Sequence, residues 1–124
     1  MVGRSTLADH YRSQAEETVA SDPARALQQV GDSLDLNADA VTAWYAKSAA
    51  YARLGRYQSA RAALLEAARR EPHNYVPWAL LGDPAVRHGE FREARREYRR
   101  ALRLNPREGS LARLAENPSA RPGD

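Results

Sequence analysis

Residues 44–72 read WYAKSAAYARLGRYQSARAALLEAARREP, and residues 78–106 read WALLGDPAVRHGEFREARREYRRALRLNP. Laid one on the other, Trp44 answers Trp78, Gly55 answers Gly89, Tyr57 answers Phe91, Ala60 answers Ala94, Ala67 answers Ala101 and Pro72 answers Pro106. Every pair stands at one offset of about 34 residues, a period that marks helical repeat arrays. Each copy runs through a helical spacing, a Gly that can end a helix, a second helical spacing and a closing Pro. The pattern predicts a helical hairpin written twice.

Outward from this pair, residues 7–40 fall one period upstream and fit the same template, with Ala26 in the place of Ala60 and Ala94. Leu7, Tyr11, Ala15 and Val19 recur four apart, which predicts a helix from Leu7 to about Ser21. Asp22-Pro23 then reads as an N-cap followed by a Pro at the first helical position, and the second helix is expected from Pro23 to about Leu36. The Trp, the turn Gly and the closing Pro are missing here, so this is a degenerate repeat. In the next repeat, 41–74, the first helix is expected from about Ala38 to Leu54 with Asn37 or Asp39 as cap, and the second from about Tyr57 to Arg70. The repeat at 75–108 restores Leu81-Gly82 where its predecessor has Lys47-Ser48. It also places Pro84 inside its first helix, which predicts a kink or a broken turn over Gly82 to Pro84. Residues 109–116 can form a short capping helix with Leu111 and Leu114 packing back onto the last hairpin. Residues 1–6 and the Pro- and Gly-bearing tail 117–124 are expected to be disordered.

The order Trp, Leu-Gly, aromatic, Ala, Ala, Pro at these positions resembles the tetratricopeptide repeat. The resemblance implies an all-α, right-handed α-solenoid of about three hairpins with a short C-terminal cap, in which the first helix of each hairpin, the A helix, faces a concave groove. It also implies which positions face that groove. They are Ala8, Tyr11, Ala15, Thr18 and Val19; Thr42, Tyr45, Ala49, Ala52 and Arg53; and Val76, Ala79, Asp83, Val86 and Arg87. The core set for peptide binding is Tyr11, Thr42, Tyr45, Ala49, Arg53, Val76, Ala79, Asp83 and Arg87. Small apolar side chains and few cations suit a helix or apolar peptide better than terminal carboxylates.

Composition narrows the chemistry. The 124 residues contain no Cys, which removes disulfides and thiolate metal sites, and the net charge is +3. His10, His73 and His88 are scattered and show no zinc spacing, and the Ser residues have no triad context. Gly55 and Gly89 are turn glycines outside any phosphate-loop pattern. No enzyme, cofactor or metal is expected. No apolar run approaches a membrane span of about 18 residues, so membrane insertion is not expected, and the cytoplasm is the expected compartment if the chain is complete.

Charge is uneven: the first repeat carries about five more acids than bases, whereas the other two carry about three or four more bases each. Arg92, Arg96, Arg99 and Arg103 share one face of the last hairpin's second helix, flanked by Arg95 and Arg100. The interleaved Glu90, Glu93 and Glu97 predict a salt-bridged solvent face, with pairs such as Glu93 with Arg96 and Glu97 with Arg100. No nucleic-acid partner is expected from it. The acidic start and basic end also suggest head-to-tail self-association, so the chain is expected to be a monomer or weakly self-associating. Trp78-Ala-Leu-Leu-Gly-Asp and Arg100-Ala-Leu-Arg-Leu-Asn-Pro106 are similar to repeats in the soluble tails of bacterial O-antigen ligase and polymerase-like membrane proteins. That likeness implies an alternative role as a scaffold within a larger protein.

Overall fold

A computed structural model describes residues 18–118. Six helices follow in order: α1 (Pro23–Leu36), α2 (Val41–Arg53), α3 (Tyr57–Arg70), α4 (Val76–Arg87), α5 (Phe91–Leu104) and α6 (Gly109–Glu116). No strand occurs among the described residues. They fall into two compact units, one ending at Arg70 and one starting at Glu71. Most of the expected Leu7–Ser21 helix, the 1–6 segment and the end of the tail lie outside the described residues.

In the first unit α2 packs on both α1 and α3. The start of α1 is the one its sequence prescribes: the Asp22 carboxylate accepts a bond from the Arg25 N–H at 3.1 Å, and Pro23 takes the position where a missing donor costs nothing. The start of α2 differs from expectation. Asn37 spends its side chain on the Asp39 N–H at 3.1 Å, a local turn, so neither Asn37 nor Asp39 caps the helix, which begins at Val41 after Ala40. Gly55 ends the hairpin's first arm at φ 72°. There the Arg56 N–H reaches back to the Tyr51 carbonyl and the Gly55 N–H to Ala52, which satisfies carbonyls that the helix end leaves open.

The core of this unit is built from small residues. Ala26, Val30, Ala46 and Ala50 are buried together, and the half-buried Val19 packs against them. Ala60 and Ala67 are fully buried on α3. Without bulky side chains the helix axes can approach closely, and stabilisation comes from many short-range contacts rather than a few large ones.

In the second unit α5 packs on both α4 and α6. Its core joins Ala85, Ala94, Tyr98, Ala101, Leu111 and Ala115, with Trp78, Val86 and Leu114 packed around them. Leu111 and Leu114 thus pack back onto the hairpin, and the half-buried Val86 packs against the same core. Gly89, at φ 73°, repeats the Gly55 turn, with the Glu90 N–H bonded to the Ala85 carbonyl.

Two expectations are revised here. Of the kink or broken turn expected over Gly82 to Pro84, the broken turn does not occur, because helix α4 runs unbroken through Pro84. Pro84 withholds a donor only from the Leu80 carbonyl, and its own carbonyl still receives the His88 N–H at 3.1 Å near the helix end. The tail also starts with order: the Asn117 N–H bonds the Arg113 carbonyl, and Pro118 is buried.

Candidate peptide-binding surface

Each hairpin holds its Trp with cations, though not in the same way. The Trp44 indole N–H donates to the Ala38 carbonyl at 2.9 Å, while Lys47 and Arg70 lie 5.0 and 5.4 Å from the ring centroid. Arg70 also bonds Asp39 at 2.7 Å and Glu66 at 3.0 Å, tying the last turn of α3 to the loop before α2. Glu66 also accepts from Arg69, and that hydrogen bond holds its carboxyl below the usual range. In the second unit the Arg100 guanidinium lies 4.1 Å from the Trp78 centroid. These contacts set the face that each Trp-bearing helix presents.

On α2 the groove positions Thr42, Ala49, Ala52 and Arg53 are exposed and Tyr45 is half-buried. Spaced three and four apart, they occupy one stripe of the helix. Arg53 sits in the last turn, where a cation also favours the helix terminus. A cleft of about 280 Å³ in this unit opens elsewhere, between Trp44, Lys47 and Tyr51 of α2 and Ser59, Ala62 and Glu66 of α3. It contains none of the groove positions. Tyr11 lies outside the described residues.

On α4 the groove positions come together more fully. Val76, Ala79 and Asp83 line one cleft of about 360 Å³, whose other wall is Leu111 and Leu114 of α6. The Asn74 side chain accepts the Val76 N–H at 3.0 Å and so starts α4 at this register. Arg87 is exposed at the last turn of the same helix.

Among the cleft's contributors that sequence reading missed are Tyr98, Glu108 and Ser110. Tyr98 is 2% exposed, and its hydroxyl donates to Asp83 Oδ1 at 2.5 Å. Burial pushes the phenol above its ordinary range, and the hydrogen bond to the Asp83 carboxylate pushes it further. Glu108 Oε1 accepts from the Ser110 hydroxyl at 2.9 Å. Two carboxylates, each oriented by a hydroxyl, therefore stand among apolar walls, and no Lys or Arg lines the cleft. For Tyr98 the sequence held a signal in Gly82, whose bare Cα leaves room for a large neighbour; for Glu108 and Ser110 it held none.

Two tetratricopeptide repeat family models match the sequence, over residues 41–74 and 80–115. The chain belongs to the tetratricopeptide repeat family. Solved structures agree on the fold. The chain is similar to the Arabidopsis OM64 TPR domain at 19% identity and a TM-score of 0.79, covering 94% of this chain and 97% of that one. It is similar to the first TPR of Spaghetti (RPAP3) bound to the HSP90 peptide SRMEEVD at 16% identity and 0.77, covering 90% of each chain. The second TPR domain of human RPAP3, in complex with the HSP70 peptide SGPTIEEVD, gives 14% and 0.78, covering 96% and 100%. No curated protein matches the sequence. Among the described residues no group of three or more His, Asp or Glu side chains could hold a metal ion, and no helix is long and apolar enough to cross a membrane.

Proposed function

We propose that this protein is a non-enzymatic interaction module that receives a peptide or helix on its A-helix faces. In this reading Thr42, Tyr45, Ala49 and Arg53 are the candidate surface of the first unit, and Val76, Ala79, Asp83 and Arg87 that of the second. The observation that carries it is the cleft at Val76, Ala79 and Asp83, with apolar walls and a few fixed polar atoms, the usual make-up of a recognition site. Peptide complexes of fold neighbours support the class of function.

The guest favoured here is apolar and not acidic. The peptides in those two complexes end in Glu-Glu-Val-Asp. Such a chain would bring carboxylates against Asp83 and Glu108, with no lining cation to receive them.

A random peptide library displayed on phage tests this reading. Panned on the wild type, it should enrich sequences with two or more apolar side chains at helical or alternating spacing. An Ala79→Asp variant that still melts cooperatively should lose that enrichment. Equal enrichment on both proteins would move the site elsewhere, and no enrichment on either would remove peptide binding as the function.

A further inference from the structure

Helix α5 carries a face that the cleft does not use. Its exposed residues are Phe91 and six arginines, Arg92, Arg95, Arg96, Arg99, Arg100 and Arg103. The glutamates expected to neutralise that face turn inward: Glu97 is 6% exposed and Glu93 is half-buried. Two of the arginines are also tethered, Arg95 to the Glu116 carbonyl at 3.4 Å and Arg100 over Trp78. What remains is a single row, Arg92, Arg96, Arg99 and Arg103, at i, i+4, i+7 and i+11. At 1.5 Å per residue the row is about 16 Å long.

We propose that this row is a binding site for the phosphodiester backbone of a single-stranded nucleic acid. Three observations select that occupant. The charges form a line, which fits a linear polyanion, whereas a bilayer is a plane. All the cations are guanidinium groups, whose planar fork pairs with phosphate in bidentate fashion. A duplex keeps its bases stacked inside, whereas a single strand leaves them open to the exposed ring at the end of the row. Phe91, 45% exposed at one end, offers one ring for stacking, so binding is largely independent of sequence.

Fluorescence anisotropy with a labelled oligothymidylate tests the proposal. Four phosphate contacts on a single strand give a slope of log K against log salt of about −2.8, or about 50-fold weaker binding between about 50 and 200 mM salt. Changing Arg92, Arg96, Arg99 and Arg103 to Gln should abolish binding, and each single change should flatten the slope by about 0.7. A charge-matched control with Arg25, Arg56, Arg107 and Arg113 changed to Gln, all exposed elsewhere, should retain the slope. Circular dichroism checks that both quadruple variants keep their helices. No binding at the lowest salt, equal loss in the control, or equal or tighter binding of a duplex, polyglutamate or anionic vesicles would each overturn the proposal.

Discussion

The ring of Tyr98 occupies the space that a side chain at Gly82 would need: a Cβ there would collide with Cζ, Cε1 and Cδ1, the last at 2.8 Å. At the same places in the preceding repeat stand Ser48 and Leu64, both buried. A larger residue on the second helix thus goes with the absence of one on the first. Gly82→Ala should destabilise the protein by about 1–3 kcal/mol through overpacking, although Ala favours a helix by about 1 kcal/mol over Gly. Urea unfolding measures it. The double change Gly82→Ser with Tyr98→Leu, which writes the preceding repeat's pair here, should recover more than half of the loss incurred by Gly82→Ser alone.

Tyr98 also predicts a dependence on pH. Its folded-state pKa is raised by burial and by Asp83, so the folded state holds its proton more tightly than the unfolded chain does. The stabilisation is complete below the unfolded value of about 10 and is lost as pH rises above it. Tyr98→Phe should cost about 0.5–1.5 kcal/mol at neutral pH. Above about pH 10 the gap between the two proteins should narrow. A gap that stays constant into alkali would place the titrating group elsewhere.

Pro84 sits inside a continuous helix and forfeits one backbone bond. Pro84→Ala should therefore stabilise the protein by about 1–3 kcal/mol, short of the full propensity difference because Pro also restricts the unfolded chain. Thermal melts compare the two. A lower melting temperature for the variant would mean that the ring's packing outweighs the missing bond.

Arg70 joins Asp39, Glu66 and the Trp44 ring. Its guanidinium is only partly covered, so Arg70→Gln should cost about 1 kcal/mol, with the ionic share fading as salt is raised. Arg69→Gln, which loses a more exposed pair with Glu66, should cost less than half of that. Equal costs would assign the effect to general charge rather than to the Trp44 contact.

Most of the fold could be read from the chain because its instructions are local. Asp22-Pro23 starts a helix through bonds within four residues, and Gly55 and Gly89 end helices by backbone geometry alone. The α2 start was misread because Asn37 had two partners within reach, and the turn at Asp39 won. The site was less legible. Val76, Ala79 and Asp83 came from the family resemblance, but Glu108 and Ser110 reach the cleft through tertiary packing of α6, which no spacing announces. The arginine face shows the same limit: on a sequence Glu93 and Glu97 alternate with arginines, whereas on the helix Glu97 is buried and Glu93 half-buried.

The two Trp residues align, yet the cations over them do not. Arg70 has Leu104 at its place in the next repeat, and Arg100 has Glu66 at its place in the preceding one. A recombinant that joined α4 to α3 would set an acid where Trp78 now meets Arg100. One that joined α2 to α5 would lose the link from Arg70 to Asp39. In this lineage the whole hairpin, rather than the single helix, is the piece that duplication or shuffling can pass on intact.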